Sequence, residues 1–133
     1  MDIEIGSSLE DFDIIQLIGK GNFGSVRLVQ SKKNHNLYAL KEIKGKANTS
    51  FNEIKTILRE IKILENLNHP NIIKHFTSFS ENNNFYIVNE FIEGGNLEDF
   101  AKDKFIDEKL IYEMLIQCLS ALYYLHEKKK NYP

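Results

Sequence analysis

The chain contains a single cysteine, Cys118, so no disulfide can close within it, and a reducing compartment is the simple reading. No apolar run approaches the roughly 18 residues that a membrane-spanning helix requires. The opening residues, Met1-Asp2-Ile3-Glu4-Ile5, are acidic and lack the basic segment that starts a secretory signal. Cationic charge is not in excess: 17 Lys and Arg stand against 19 Asp and Glu, a formal net charge of −2. That balance gives no reason to expect nucleic acid or an anionic membrane as partner. Internal repeats and low-complexity tracts are missing as well. The four histidines, His35, His69, His75 and His126, show no metal-ligand spacing. Together these absences point to a cytoplasmic location, with nucleus and cytoskeleton as alternatives. What is present is ordinary for a folded domain. Hydrophobic residues make up 42% and charged residues 27%, which excludes global disorder, and 133 residues suit one domain.

Three of the glycines stand together in Ile18-Gly19-Lys20-Gly21-Asn22-Phe23-Gly24-Ser25-Val26, a G-x-G-x-x-G-x-V pattern. A glycine-rich loop lets backbone N–H groups approach phosphate oxygens closely. Such a loop also opens the helix of dinucleotide-binding folds, so its flanks decide its meaning. Phe12 to Ile18 is apolar and isoleucine-rich, which reads as a strand. Phe23 to Val29 alternates, with Val26 and Leu28 on one face and Ser25 and Arg27 on the other, which reads as a second strand. A strand–turn–strand removes most of the weight from the dinucleotide alternative.

Farther along, Leu37 to Ile43 reads as a third strand, with Leu37, Ala39, Lys41 and Ile43 on its apolar face. A lysine there requires an anion, or else snorkels to water at the sheet edge. Ser50 with Glu53 forms a capping-box signature ahead of an amphipathic helix, Phe51 to Leu67. On its apolar flank Glu60 is the carboxylate placed to turn inward. Pro70 closes that segment, and Ile72 to Phe79 and Phe85 to Phe91 read as a hairpin around Ser80–Asn84. Glu93-Gly94-Gly95-Asn96 is a hinge, and Leu97 to Lys102 a short helix. A last helix from Asp107 to about Lys128 is apolar over most of its circumference, so burial on more than one face is expected, within a larger unit. Within it Cys118 reads as core packing, and Lys128 to Lys130 as a helix end favoured by the dipole.

In this order and spacing the segments resemble the eukaryotic protein kinases, over nearly the whole chain. Gly19, Gly21, Gly24 and Val26 match the glycine loop, and Tyr38-Ala39-Leu40-Lys41 the V-A-I-K strand. Glu60 matches the helix glutamate, and His69-Pro70-Asn71 the segment that follows it. The tip Gly-Asn-Phe-Gly, His69-Pro70-Asn71-Ile72-Ile73 and Glu81 to Val88 look most like the NIMA-related serine/threonine kinases, with Aurora-like and calcium/calmodulin types as alternatives. The fold implied is α+β. A five-stranded antiparallel sheet with one long helix forms an N-terminal lobe (12–91) behind a tail (1–11). A hinge (90–96) and the first helices of an incomplete C-terminal lobe (97–129) follow, so the kinase domain occupies 12–133.

The resemblance implies that Ile18 to Val26 cover the phosphates of ATP. It implies that Lys41 holds the α- and β-phosphates with Glu60 as its supporting ion pair. Val26 and Ala39 would flank the adenine, and the backbone from Glu90 to Ile92 would bond its edge. Asn89 takes a place where kinases carry a larger apolar residue. The H-R-D and D-F-G segments do not occur in these 133 residues, so no catalytic aspartate is identified, and the protein ligands of Mg2+ are expected in the missing part. ATP and a protein substrate are the partners implied. The function expected is a serine/threonine kinase domain that is inactive as given; the alternative is a kinase-like fragment that binds only nucleotide or protein.

Overall fold

The computed structural model describes residues 4–22, 24–46 and 48–130. Phe23, one of the residues expected to meet ATP, lies outside the described residues. The described chain forms two compact units. One comprises residues up to Leu67 with Lys74–Phe91, the other Asn68–Ile73 with Ile92 onward.

The first unit is built on five strands: β1 Phe12–Gly21, β2 Gly24–Ser31, β3 Leu37–Lys44, β4 His75–Glu81 and β5 Asn84–Glu90. They form one antiparallel sheet in the order β1-β2-β3-β5-β4. A strand follows Gly24 directly, which eliminates the dinucleotide alternative, since that fold needs a helix there. The β4–β5 hairpin is tighter than expected, because Asn82 and Asn83 both take positive φ, 50° and 64°. Asparagine tolerates that region, and two such residues make the turn whose twist matches the flanking strands.

The buried face differs from the one expected. On β3 the buried residues are Tyr38, Leu40 and Glu42, not the Leu37, Ala39, Lys41 and Ile43 set. The core cluster is Phe12, Val29, Tyr38, Leu40, Tyr86 and Val88, joined by Ile5, Leu9 and Phe79. Phe79 lies between two other rings, stacked at 6.1 Å on Phe12 and 5.1 Å on Tyr86. The reason lies in the leading segment, expected to be only a tail. Ile5 and Leu9 cover that face, Leu9 N–H donates to Glu81 Oε2 at 2.9 Å, and the Ser31 hydroxyl donates to the Ile5 carbonyl. A 3₁₀ turn at Leu9–Asp11 is closed by Asp11, whose carboxylate accepts from Ser7 N–H at 2.8 Å and Ser8 N–H at 3.2 Å.

Helix α1 spans Phe51–Glu65 and starts with the expected capping box. Glu53 N–H donates to Ser50 Oγ at 3.2 Å, and Ser50 N–H to Glu53 Oε2 at 2.8 Å. It ends at Asn66, before Leu67. Ile61 is its one buried residue, and the strand it packs against is β4.

In the second unit, α2 spans Leu97–Ala101, capped by Asn96, and α3 spans Glu108–Lys130, with Asp107 accepting from Leu110 N–H at 2.8 Å. Asn68–Asn71 lies on α3. Asn68 N–H donates to the Tyr124 hydroxyl at 2.8 Å, His69 Nε2 lies 3.1 Å from Ser120 Oγ, and the His69 and Tyr124 rings are 5.1 Å apart. The burial expected around α3 is not supplied by the described residues. None of its residues is buried, and Ile111, Leu115, Ile116, Leu119 and Leu122 are exposed, as is Cys118, which was expected in a core. No helix among the described residues is long and apolar enough to cross a membrane.

Candidate functional site

Strands β1 and β2 hold the glycine loop as the end of a hairpin, with Gly19 opposite Val26, Lys20 opposite Ser25 and Gly21 opposite Gly24. Ile18, Gly19, Lys20 and Gly21 are thus on β1, Asn22 in the turn, and Gly24, Ser25 and Val26 on β2. The glycines are not equivalent. Gly24 has φ +144°, and a Cβ there would lie 1.9 Å from the Glu42 carbonyl oxygen, so packing alone demands glycine. At Gly19 and Gly21 a Cβ would meet nothing within 4 Å. Packing of the described residues therefore gives no reason for glycine at those two positions, and it leaves their backbone open to a ligand.

Register defines the face that adjoins this loop. Val26 is opposite Lys41, Leu28 opposite Ala39, Ala39 opposite Asn89, and Lys41 opposite Ile87. Val26, Ala39, Lys41 and Asn89 therefore share one side of the sheet, a small apolar platform with a cation beside it. Lys41 is exposed. The expected ion pair with Glu60 is not made: among the described residues no salt bridge joins them, and Glu60 is exposed rather than turned inward. α1 rests through Ile61 and meets β4, which leaves Glu60 on its outer side.

At the end of β5, Glu90 is tied to the chain before β4. Its N–H donates to the Lys74 carbonyl at 2.8 Å, and its carboxylate accepts from Lys74 N–H at 3.1 Å. That backbone N–H is therefore committed to the sheet. Ile92 belongs to the second unit and is exposed.

A polar cluster on the opposite face went unread in the sequence. Glu42 Oε2 accepts from Arg27 Nη1 at 2.9 Å and from Ser25 Oγ at 3.3 Å, while its Oε1 accepts from Asn84 Nδ2 at 3.3 Å. This ties β2, β3 and β5 together beneath the glycine loop. The signal was available: alternation puts Glu42 with Tyr38 and Leu40, and a carboxylate on a buried face requires donors. Taking the Lys41 side as the apolar one hid it.

A cavity of about 410 Å³ opens between the β3–α1 loop and the β4–β5 hairpin, lined among others by Gly45, Lys46, Thr49, Ile54 and Phe85. Neither the glycine loop nor Lys41 lines it. Among the described residues no three His, Cys, Asp or Glu side chains converge to hold a metal ion.

Comparison with known proteins adds to this geometry. Residues 12–132 match the family described as "Protein kinase domain". Mitogen-activated protein kinase kinase SIPKK of Nicotiana tabacum is 38% identical over 122 residues, 91% of this chain and 34% of that protein. Serine/threonine-protein kinase Nek1 of Mus musculus is 35% identical over 124 residues, 91% of this chain and 10% of that protein. An Aurora kinase of Candida glabrata is 34% identical over 123 residues, 92% of this chain and 34% of that protein. The chain thus spans about a third or less of the length of these relatives.

Proposed function

This chain belongs to the protein kinase domain family, and on that premise we propose that it supplies the nucleotide-holding part of a serine/threonine protein kinase. The observation that carries the reading is the open backbone at Gly19 and Gly21 beside a sheet face that bears Val26, Ala39 and an exposed Lys41 that makes no salt bridge among the described residues. ATP fits that arrangement. Loop N–H groups suit its phosphate oxygens, the Lys41 ammonium suits the α- and β-phosphates, and Val26 and Ala39 offer a flat apolar surface to the base. Glu60 is then recruited from solvent to Lys41 as the nucleotide draws α1 toward β3. Because the Glu90 N–H is used within the sheet, its carbonyl is the group proposed to bond the base edge.

A serine/threonine protein kinase transfers the γ-phosphate to a protein hydroxyl, with Mg2+ sharing the phosphate charge. The described residues offer no cluster of three His, Cys, Asp or Glu side chains for that ion. These 133 residues hold no His-Arg-Asp or Asp-Phe-Gly triplet. By themselves they are proposed to bind ATP without phosphorylating protein. Nek1 and Nek10 of Mus musculus are among the relatives, which supports the NIMA-related resemblance, beside a kinase kinase and an Aurora kinase. The cytoplasmic location stays part of the same proposal.

The test is ATP–magnesium titration of the chain beside Lys41→Met. Lys41 is exposed, so the variant should fold as the parent does and lose about tenfold or more in affinity, the scale of a charge-assisted contact. Equal affinity would remove Lys41 from the site.

A further inference from the structure

We propose that Asn89 reads the base of the bound nucleotide, selecting adenine, and that His75 is the positioning residue that aims its amide. The inference rests on the nucleotide reading above and deepens it.

Asn89 lies on β5 between two partners, Ala39 of β3 on one side and His75 of β4 on the other. It is thus on the sheet face that carries Val26 and Lys41, beside the surface offered to the base. His75 Nδ1 is 3.1 Å from Asn89 Oδ1. The histidine is 8% exposed, and its Nε2 is buried with no hydrogen-bond partner among the described residues.

That orphan nitrogen decides the proton position. A proton on Nε2 would bury an unpaired N–H, which folded proteins avoid more strictly than an unused lone pair. The proton therefore sits on Nδ1 and is donated to Asn89 Oδ1, which fixes the amide with Nδ2 turned away from the histidine. Among the described residues Nδ2 has no partner, and Oδ1 keeps a second lone pair. A half-buried amide presenting one donor beside one acceptor matches the N7 acceptor and the N6 amino donor of adenine, the pairing by which asparagine recognises that base elsewhere. Guanine presents acceptors at both places, so Oδ1 would face O6.

The 133-residue chain is titrated with ATP, with 7-deaza-ATP, in which C–H replaces N7, and with GTP. The expected result is about tenfold tighter binding of ATP than of 7-deaza-ATP, as for one partly buried hydrogen bond, and still weaker binding of GTP. Asn89→Leu should bind ATP and 7-deaza-ATP alike, and His75→Phe should shrink the ratio, a readout that mere loss of stability would not move. The parent comparison needs no variant to fold. If the parent binds ATP and 7-deaza-ATP equally, the inference is overturned while the nucleotide reading stands. If it binds no ATP, both fall.

Discussion

Arg27 of β2 and Glu42 of β3 meet at 2.9 Å on the sheet face turned away from Lys41, with side chains 32% and 10% exposed. Removing the arginine strands a carboxylate that keeps only the neutral donors Ser25 and Asn84. Arg27→Met is expected to destabilise the chain by about 1–3 kcal/mol, below the usual range for a buried pair because Arg27 is partly solvated. The double variant Arg27→Met/Glu42→Leu should lose less than Arg27→Met alone. Urea unfolding checks both.

Gly24 and Gly21 face each other in the glycine loop yet should respond oppositely to alanine. Gly24→Ala places a methyl on the Glu42 carbonyl at a backbone angle that alanine avoids, and should cost about 3 kcal/mol or more. Gly21→Ala meets no atom of the described residues within 4 Å, so its unfolding midpoint should stay near the parent's while ATP affinity falls. Unfolding and nucleotide titration of both variants separate the structural glycine from the binding one.

Much of the fold was legible because it rests on local signals. The Ser50–Glu53 box, the isoleucine-rich first strand and the alternation after Gly24 each appear where chemistry placed them. The buried side of the sheet was not legible. Alternation gives two faces but not which is covered, and the cover comes from Ile5 and Leu9, remote in sequence from β3 and β5. The same limit hid the site's state. Spacing puts Lys41 on a strand and Glu60 on a helix, but whether they touch depends on how far α1 leans on the sheet, which Ile61 and β4 determine. His75 carried no motif, and its role beside Asn89 follows only from strand register.

Acid should loosen the leading segment first. Backbone N–H groups of Ser7, and then Ser8, hold the Asp11 carboxyl below its ordinary value, helped by Lys33 and opposed by desolvation. A lowered value in the fold means that the stabilising contribution is present above the unfolded aspartate value, about 4, and is lost as pH falls through the lower folded value. Between about pH 6 and pH 3 the parent's melting temperature should therefore fall more than that of Asp11→Asn. Parallel declines would show that the turn does not depend on the charge.

In the second unit, Tyr124→Phe deletes the hydroxyl that accepts from Asn68 N–H. The loss should be about 1 kcal/mol, one hydrogen bond's worth. It should appear as faster hydrogen exchange at the Asn68 amide, with the β3 and β5 amides unchanged.

Lys41 and Glu42 are neighbours in sequence with opposite assignments, one on the platform beside the glycine loop and the other in the polar cluster behind it. The sheet therefore has a parity. Losing or gaining one residue within β3 would exchange the two, placing a carboxylate where phosphate is to be held and an ammonium against Arg27. The ladders β2–β3 and β3–β5 run without a register shift, while the shifts that occur lie in the pairings of β1 and β4, the outer strands. Insertions and deletions should thus be tolerated at the sheet's margins and prohibited along its middle, in odd numbers most of all.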